Sequence, residues 1–447
     1  MSNSTENKHI AVFAFPFGTH VIPLLNLVIK LAKAAPHCSF SFISTEKSNA
    51  LNFPKPHIPI NIKTHNISDG VPEGHPLANH PIEKVNFFLK TGVDNIHKGI
   101  QLAEAETKTR VTCIIADAFV TSSLLVAKKL DVPWIAFWPP VSCSLSLYFY
   151  VDMIRQHHAN CDANATMDFL PGLPMMHVVD MPHDLLFVGE KETTFSRELV
   201  SLGTVLPQAK AVVVNFFEEL DPPLFVQDMR SKLQSMFYVV PVSFPTLSVT
   251  DSSGCLSWLD TKSSRSVAYV SCGTVVIPSP QELEAMAEAL EESGLPFIWS
   301  LKENVLPLLP KGFVERTSAR GKIVSWVPQT QVLAHDSVGV FVTHCGSNSV
   351  TESLSSGVPM ICRPFFGDQG VAARVIEGVW ETGVIIEGRV FTKSGLLKSL
   401  NLILVQEEGK KIRDNALKMK KTVEDAATPE GKAAHDFINL VKLIFTP

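Results

Sequence analysis

The chain of 447 residues is long enough for two or three domains, and its 45% hydrophobic and 19% charged content is typical of globular proteins with a filled core. A net charge of −5 without any basic block argues against nucleic acid and acidic membrane surfaces as partners. The polar start MSNSTENKH does not resemble a signal peptide, and no segment has the unbroken run of about 18 apolar residues of a membrane helix, so we expect a cytoplasmic protein without a membrane span.

The eight cysteines are scattered without a C-x-x-C pair, and several, such as Cys113 and Cys362, lie inside apolar segments. This pattern predicts buried free thiols, neither disulfides nor zinc ligands. No cluster of His, Cys, Asp and Glu has metal-ligand spacing, and neither G-x-G-x-x-G nor G-x-x-x-x-G-K-[ST] occurs. We therefore expect no metal ion and no dinucleotide cofactor.

In chain order, the first half alternates strands with helices. Strands are predicted at residues 9–15, 112–117, 132–138 and 211–215, and helices at residues 23–34 and 121–130. This alternation favours a doubly wound parallel sheet, in which ligands bind beyond the carboxyl ends of the strands. His20 and Asp117 both fall at such ends, on different strands, and are candidates for a shared site.

A segment rich in Pro, Ser and Thr at residues 243–254 predicts a linker, after which the alternation starts again. Ser279 and Glu282 predict a capping box for the first helix of this half. Further strands are predicted at residues 266–271, 296–301, 322–326, 338–343 and 383–387. The sequence therefore predicts an α/β protein with two Rossmann-like, doubly wound parallel-sheet domains that face a cleft.

One stretch, from Trp326 to Gln369, holds most candidate binding residues. Its turn and predicted helix start carry His344, Cys345, Gly346, Ser347, Asn348 and Ser349. Small polar residues cap the free N–H groups of a helix start, and the helix dipole there favours an anion such as a diphosphate. Glu352 shares a helix face with Asn348 and suits ribose hydroxyls. Trp326 offers a flat ring to a base, and Asp368 and Gln369 suit sugar hydroxyls.

This 44-residue stretch resembles the signature of the plant UDP-glycosyltransferases that glycosylate small secondary metabolites. The shared pattern comprises W-x-P-Q, H-x-x-V-G, H-C-G-x-N-S, the glutamate, G-V-P and the final D-Q, all at the family's spacing. Each residue taken alone is more often a core or capping residue than a ligand, whereas the whole set is specific. One departure is Ser347, which stands where the family usually has a tryptophan.

The resemblance implies a fold of GT-B type. Its implied parts are an N-terminal acceptor domain at 1–242, the linker at 243–254, a UDP-sugar domain at 255–430 and a C-terminal helix at 431–447 that packs back on the first domain. It also implies a monomer that uses a UDP-sugar and a small aromatic acceptor and needs no metal.

His20 is the implied catalytic base, and Asp117 is the carboxylate that orients it. A histidine suits this task because its ordinary pKa lies near physiological pH, and a buried carboxylate fixes its tautomer and stabilises the imidazolium. The alternative is that His20 and Asp117 each cap the helix that follows them. A single base and attack opposite the diphosphate predict inversion, which gives a β-glycoside from an α-linked donor.

The resemblance also implies the donor site. Uracil contacts Trp326, with Val327, Gln329 and Ser300 beside it; Glu352 binds the ribose; the phosphates meet Thr274, His344, Asn348 and Ser349; Asp368 and Gln369 bind the sugar; and Thr19 and Ser347 complete the set. A glutamine at the last position resembles glucose-using members of the family. Pro139 is a second departure, because flavonoid enzymes often carry a threonine after the preceding Phe-Trp pair.

The stretches AFPFGTH, ISDGVPEGH, ADAF, LPGLP and RPFFGDQ are most similar to flavonoid 3-O-glucosyltransferases, over nearly the whole chain. Phe119, Tyr148 and Phe366 would then line a flat apolar pocket for an anthocyanidin or a flavonol that reacts through its 3-hydroxyl. Core packing is the alternative for Phe119 and Phe366. Two other functions remain open from the sequence, a UDP-sugar epimerase on the same architecture and a non-catalytic UDP-sugar sensor.

Overall fold

The computed structural model describes residues 8–53, 58–76, 82–239 and 251–446. The chain divides into two compact units, which we call unit 1 and unit 2. Unit 1 comprises the described parts of Met1–Pro174, His183–Val242 and Ala427–Pro447, and unit 2 comprises those of Met175–Pro182 and Ser243–Ala426. Most of the predicted linker, residues 243–250, lies outside the described residues, as do the first seven residues of the polar start.

Unit 1 contains a seven-stranded sheet whose paired strands are all parallel. The strands are β1 (His9–Phe13), β2 (Ser39–Thr45), β3 (Ile62–Ile67), β4 (Cys113–Asp117), β5 (Trp134–Trp138), β6 (Ala211–Val214) and β7 (Met236–Tyr238). Their order is β3-β2-β1-β4-β5-β6-β7. The strands β2 and β3 therefore lie on one side of β1, the strands from β4 onward lie on the other, and the strand order reverses between β1 and β4. Such a reversal is the point at which open α/β sheets bind ligands.

The helices of unit 1 lie between its strands along the chain. They are α1 (Val21–Ala34), α2 (Glu46–Asn52), α3 (Ile82–Lys90), α4 (Gly92–Thr107), α5 (Ser122–Leu130), α6 (Leu145–Phe149), α7 (Val151–Asn160), α8 (His183–Leu186), α9 (Thr194–Val205) and α10 (Pro223–Lys232). Short 3-10 helices lie at Ser142–Ser144, Gly189–Lys191, Leu206–Gln208 and Glu218–Leu220. The helix α1 is apolar on most of its surface and packs against β1, β2, β4 and β5 in one core.

Unit 2 contains a six-stranded sheet that is also entirely parallel. Its strands are β8 (Val267–Ser271), β9 (Phe297–Ser300), β10 (Gly321–Val324), β11 (Val338–Thr343), β12 (Met360–Cys362) and β13 (Gly383–Ile385). The order β10-β9-β8-β11-β12-β13 repeats the first six positions of unit 1, and the reversal lies between β8 and β11. The prediction of two doubly wound parallel-sheet domains is confirmed.

The helices of unit 2 are α11 (Cys255–Leu259), α12 (Pro280–Ser293), α13 (Phe313–Thr317), α14 (Gln329–Ala334), α15 (Ser347–Ser356), α16 (Gln369–Gly378), α17 (Lys393–Leu404) and α18 (Lys410–Ala426), with 3-10 helices at Val178–Asp180, Glu303–Leu308, Glu387–Arg389 and Glu407–Gly409. The capping box predicted for α12 is present: Glu282 N donates to Ser279 Oγ, and Ser279 N donates to Glu282 Oε2, both at 3.2 Å. None of the helices that the structure describes combines the length and apolar character needed to cross a membrane.

The two units differ from the predicted domain ranges in two places. Residues 175–182, inside the range predicted for the first domain, belong to unit 2, because buried Asp180 accepts hydrogen bonds from Arg374 and Arg389. The chain from Ala427 onward belongs to unit 1, and it carries α19 (Lys432–Phe445). Leu440 and Ile444 of α19 are buried in the unit 1 core.

Candidate active site

His20 and Asp117 lie together at the reversal point of the unit 1 sheet. His20 follows β1 and directly precedes α1, whereas Asp117 is the last residue of β4, the neighbour of β1. The His20 Nδ1 atom lies 2.9 Å from Asp117 Oδ2. The carboxylate is fully buried and the imidazole is about one-fifth exposed. The Phe119 N–H donates to Asp117 Oδ1 at 3.0 Å, so each carboxylate oxygen has a fixed role.

The structure decides against helix capping as the role of these two side chains. His20 is the N-cap residue of α1, but its side chain makes no capping hydrogen bond, and the N-cap residue of α5 is Thr121. Because a carboxylate accepts, His20 Nδ1 carries a proton towards Asp117, and Nε2 presents a lone pair. No hydrogen bond of Nε2 is found in the part of the chain that the structure describes. A neutral imidazole held in this way has the geometry that general-base catalysis requires.

Aromatic side chains surround His20. The ring of Phe119 lies 5.0 Å from the imidazole centroid, and the ring of Phe15 lies 5.2 Å from it. Trp138 packs at 5.6 Å from Phe119, and Tyr148 packs at 5.3 Å from Trp138. Phe119 and Tyr148 therefore both belong to this aromatic wall, in which they are 8% and 4% exposed.

Sequence reasoning missed several members of the cluster. The rings of Phe17, Phe88 and Phe195 also contact Phe15. The stretch AFPF beside the predicted turn was the available signal for Phe15 and Phe17. Phe195 comes from α9, far along the chain, and no local pattern marks its approach. Trp138 Nε1 is buried without a hydrogen-bond partner among the described residues, so this wall also contains one unused donor.

In unit 2, the turn between β11 and α15 forms the candidate anion site. Cys345 has a φ of +66°, a conformation that non-glycine residues rarely adopt and that is found at functional sites. The predicted capping by small polar side chains is wrong, because α15 begins at Ser347 and its N-cap is Gly346, which has no side chain. The first N–H groups of α15 are thus left without a side-chain cap. Ser347 Oγ is likewise buried and without a partner among the described residues. Asn348, the second residue of the helix, is partly buried.

His344 lies at the same helix start, between two glycines. A Cβ atom at Gly346 would lie 2.5 Å from the imidazole, and one at Gly273, where φ is +79°, would lie 2.7 Å from it. Both positions therefore need glycine for the ring to fit. Burial lowers the pKa of His344 to about 4, and the Ser271 backbone only partly opposes this. His344 is neutral at physiological pH, and its ring can donate a hydrogen bond to a phosphate without carrying a charge.

Glu352 lies on α15, where a hydrogen-bond network holds it. Gln329 Nε2 donates to Glu352 Oε2 at 2.7 Å and to Ser349 Oγ at 3.0 Å. Tyr269 OH donates to Gln329 Oε1 at 2.8 Å. Burial raises the pKa of Glu352 to about 7, and the hydrogen bond from Gln329 acts against this rise. The structure thus brings Gln329, Ser349 and Glu352 together, and Tyr269 is a member that sequence reasoning missed.

Trp326 is 51% exposed, which is unusual for so large an apolar ring. It borders a pocket of about 340 Å3. The pocket is lined by Ser252, Ser253, Leu301, Glu303, Leu306, Ile323, Val324 and Ser325. Val327 is buried, and Ser300 ends β9 beside this pocket. Thr274 and Thr19 are exposed in the loops after β8 and β1, and the Thr274 carbonyl accepts from Lys302 Nζ at 2.9 Å.

Asp368 and Gln369 stand at the start of α16, of which Asp368 is the N-cap residue. Gln369 Oε1 accepts from the N–H groups of Phe365 and Phe366, at 2.8 and 3.2 Å. Because the oxygen is used, the NH2 group is the part of the amide that remains to donate, and Gln369 is buried at 5% exposure. Phe366, a residue of unit 2, is 48% exposed.

No group of three or more His, Cys, Asp and Glu side chains suited to a metal ion is found within residues 8–53, 58–76, 82–239 and 251–446. All eight cysteines are free, and all except Cys161 are buried.

Comparisons with known proteins extend over the whole chain. A family model described as UDP-glucoronosyl and UDP-glucosyl transferase matches residues 248–429. A flavonol 3-O-glucosyltransferase from Actinidia chinensis var. chinensis is 44% identical over 100% of this chain and 99% of its own. An anthocyanidin 3-O-galactosyltransferase from Rhododendron delavayi is 43% identical over 99% of this chain and 98% of its own.

The fold is also similar to that of a solved structure. The crystal structure of a UDP-glucose: anthocyanidin 3-O-glucosyltransferase in complex with UDP superposes with a TM-score of 0.97. It is 69% identical in sequence and covers 99% of this chain and 100% of that chain. The similarity is thus not confined to the stretch from Trp326 to Gln369 but includes both parallel sheets.

Proposed function

Because the chain belongs to the family of UDP-glucoronosyl and UDP-glucosyl transferases, we propose that it transfers glucose from UDP-glucose to the 3-hydroxyl of a flavonoid, an anthocyanidin or a flavonol. The observation that carries this proposal is the His20–Asp117 pair, 2.9 Å apart and surrounded by aromatic rings. A base inside an apolar aromatic wall suits a flat phenolic acceptor better than a water molecule or a second sugar.

In the proposed reaction, His20 Nε2 takes the proton of the acceptor hydroxyl as its oxygen bonds to the anomeric carbon. The bond from that carbon to the diphosphate breaks, and UDP leaves with the electron pair. Asp117 stabilises the imidazolium that forms, and the Phe119 N–H keeps the carboxylate in place. Attack opposite the leaving group inverts the anomeric carbon, so the product is a β-glycoside. An α-glycoside in the proton NMR spectrum of the product would refute this stereochemistry.

The residues of unit 2 supply donor binding. The uncapped start of α15, the neutral His344 and the Ser347 hydroxyl offer donors to the diphosphate. Glu352 suits the two hydroxyls of the ribose, and the exposed ring of Trp326 suits uracil. The chemistry of these groups fits a nucleoside diphosphate, which supports UDP-sugar as co-substrate.

Glucose is the proposed sugar, and Gln369 is the residue on which that choice depends. Its oxygen is occupied by the Phe365 and Phe366 N–H groups, so its NH2 group is the part of the amide that can donate to a sugar hydroxyl. One relative is a galactosyltransferase at an identity close to that of the glucosyltransferases, so galactose is the donor that must be compared directly. The comparisons support neither an epimerase nor a sensor. The monomeric state and the cytoplasmic location stay predictions.

A product assay tests the proposal. Purified protein would be offered UDP-glucose, UDP-galactose and UDP-glucuronic acid with flavonols, anthocyanidins, isoflavones and simple phenols, and products would be identified by mass spectrometry and NMR. We expect a 3-O-glucoside from the wild type and its loss in His20→Ala. A matched control is His75→Ala, which removes another histidine–carboxylate pair, with Nε2 3.1 Å from Glu83 Oε1 at the surface, and should retain activity.

Each other outcome has a definite meaning. A 3-O-galactoside as the main product would correct the donor and leave the base and acceptor intact. A glucoside at another hydroxyl would correct the regiochemistry. UDP binding without any phenolic product would overturn the transferase proposal.

A further inference from the structure

Tyr269 starts a hydrogen-bond chain that ends at Glu352, the carboxylate to which the proposed function gives ribose binding. The Gln329 amide lies between them, with its oxygen 2.8 Å from the phenol and its nitrogen 2.7 Å from the carboxylate. Both amide hydrogens are used, the second by Ser349 Oγ at 3.0 Å. Only one orientation of the amide satisfies this arrangement, because an ionised carboxylate accepts and cannot donate.

Tyr269 is held rigidly. The side chain is 1% exposed, and its ring stacks on Phe341 at 4.9 Å and an angle of 12°. These two residues are partners in the register of β8 and β11, the central strands of the sheet. Burial raises the pKa of Tyr269 far above its ordinary value, so the hydroxyl keeps its proton and stays a donor. The phenol therefore presents its proton at one fixed position.

We propose that Tyr269 is a positioning residue for donor binding: its hydroxyl fixes the Gln329 amide so that the NH2 group faces Glu352, and the carboxylate is left to accept from both ribose hydroxyls. This inference rests on the proposed function of the same site. Tyr269 does not contact the donor in this scheme and acts through Gln329 alone.

The surroundings of Glu352 explain why the amide matters. Among the described residues, Glu352 takes part in no ion pair. The Gln329 amide donates to it, and the same amide contacts the Ser349 hydroxyl and the Tyr269 phenol. With no cation beside it, the charged carboxylate depends on the amide hydrogens. Without the phenol, the amide is free to rotate and to turn its oxygen towards the carboxylate, which favours the protonated form. A protonated carboxyl has lost one of the two acceptors that a vicinal diol needs.

Calorimetric titration with UDP tests the proposal in the full-length protein, between about pH 6 and about pH 9. The wild type should bind less tightly as the pH falls through the pKa of Glu352. In Tyr269→Phe, which keeps the ring and its stacking, the midpoint pH of this change in UDP affinity should move upward. UDP should bind about three- to tenfold less tightly near neutral pH. The affinities should converge at the highest pH, where the carboxylate is charged in both proteins. In turnover assays, KM for UDP-glucose should rise while kcat is retained.

Three further variants sharpen the experiment. Gln329→Met removes the amide at similar volume and should move the midpoint in the same direction. Glu352→Gln should abolish the midpoint and leave only the titration of the UDP phosphates. Tyr238→Phe is the matched control, because it removes another buried phenol that donates to a carboxylate, Asp221 at 2.7 Å in unit 1. It should show the wild-type affinity and pH profile.

A wild-type midpoint and affinity in Tyr269→Phe would overturn the proposal, and so would a wild-type midpoint in Gln329→Met if Tyr269→Phe does not fold. These failures differ from failure of the proposed function. If the wild type itself bound no UDP and formed no glycoside, the function would be wrong. If the wild type bound UDP and turned over, and the variants matched it, only the role of Tyr269 would be wrong.

Discussion

At the scale of single residues, the direction of each hydrogen bond decides what a side chain can do. Asp117 shows this, because its Oδ1 is already occupied by the Phe119 N–H and only Oδ2 is available to His20. The carboxylate is therefore more than a negative charge near an imidazole. It determines which ring nitrogen carries the proton, and so which nitrogen is free to accept one.

This arrangement predicts the effect of Asp117→Asn. The Phe119 N–H would hold the amide oxygen and turn the NH2 group towards His20 Nδ1, which would then have to accept. Nε2 would carry the proton and could not act as a base. We expect kcat to fall by about 10²- to 10⁴-fold, with an unchanged dissociation constant for UDP. Steady-state kinetics would measure kcat, and calorimetry would measure the dissociation constant for UDP. An equal fall of kcat in Asp260→Asn, which changes another His–Asp pair, 3.1 Å from His335, would show that the effect is not specific to the His20–Asp117 pair.

A second prediction concerns the space around His344. Gly346 has a φ of −64°, which alanine also adopts, but a Cβ atom there would meet the imidazole at 2.5 Å. Because Gly273 closes the other side, the ring would have to leave its place in Gly346→Ala. UDP should bind at least about tenfold more weakly, since a hydrogen bond to a charged group contributes about 1.5 to 3 kcal/mol.

Calorimetry with UDP would test this, with Ser355→Ala as the control in the last turn of the same helix. The Ser355 hydroxyl donates only to the Thr351 carbonyl, at 2.7 Å, so this control should bind UDP normally. Normal UDP affinity in Gly346→Ala would show that His344 does not contribute to diphosphate binding.

The site residues that could be predicted were those that a local pattern marks. The stretch from Trp326 to Gln369 has fixed spacing, and His20 and Asp117 follow apolar strands, so the sequence places them at one edge of a sheet. Tyr269 could not be found in this way, because its contact with Gln329 joins a strand and a helix that are sixty residues apart. The helix α15 begins at Ser347 as expected, but its missing side-chain cap was not foreseen, since the turn at Cys345 makes Gly346 the N-cap.

At the scale of elements, a network of buried neutral side chains joins the first strands of unit 1. His9 Nδ1 lies 2.9 Å from the Thr109 carbonyl, so it carries the proton, and His9 Nε2 lies 2.8 Å from Ser41 Oγ. His65 Nε2 approaches the same hydroxyl at 3.1 Å. Burial is the main cause that lowers the pKa of both histidines, and nearby carboxylates only partly oppose it.

This network predicts a loss of stability in mild acid. Because the folded-state pKa values lie below the ordinary value of about 6.5, the folded protein binds fewer protons than the unfolded chain. The stabilisation is complete above that pH and is lost as the pH falls towards the folded-state values, by up to about 1.4 kcal/mol per pH unit for each histidine.

Urea unfolding at several pH values would measure this effect in the wild type and in His65→Gln. Asp221 and Glu352, whose pKa values burial raises to about 7, act in the opposite direction, so the difference between the two proteins is the informative quantity. The variant should lose less stability between about pH 7 and about pH 5. The exposed residue His37 provides the control His37→Gln, which should follow the wild type. Parallel curves for the wild type and His65→Gln would contradict the prediction.

Strands and helices could be predicted where the residues of the element itself show a typical pattern, such as an apolar run or a capping box. The apolar strand 338–343 and the capping box of α12 were found with their correct residues. The strands β2 and β3 were not assigned, although β2 is almost entirely buried between β1 and β3. Its sequence, SFSFIST, alternates small polar and apolar residues, and the polar ones are buried here because Ser41 has the two histidines as partners.

At the scale of the whole molecule, the chain passes between the two units four times. Residues 175–182 belong to unit 2 although unit 1 residues precede and follow them, and the C-terminal segment returns to unit 1 after unit 2. Sequence patterns could not show the first of these crossings. The segment 175–182 has no regular periodicity, and its assignment depends on Arg374 and Arg389, which lie about two hundred residues later. Gly370 completes the contact, because a Cβ atom there would lie 2.4 Å from the Asp180 carbonyl oxygen.

This topology makes Asp180 a stability residue of unit 2, despite its position within the sequence of the first domain. It is 1% exposed, and it accepts from Arg374 Nε at 3.0 Å, from Arg389 and from the His177 N–H at 2.7 Å. Asp180→Ala would leave Arg389 without this partner and should destabilise unit 2 by about 3 to 5 kcal/mol, the usual cost of breaking a buried ion pair. The exposed residue Asp168 provides the control Asp168→Asn, which should be close to neutral.

The measurement must show that the lost stability is that of unit 2, and the dependence of unfolding on UDP concentration can show this. A ligand stabilises the folded form by RT ln(1 + [L]/Kd), so the transition that moves with UDP concentration is the one that includes the donor site. Asp180→Ala should lower the midpoint of that transition and, since Gly370 follows Gln369 directly, should also weaken UDP-glucose more than UDP. If the UDP-sensitive transition stayed at its wild-type midpoint, the segment 175–182 would contribute nothing to unit 2, and its buried ion pairs would be offset by the cost of removing three charges from water.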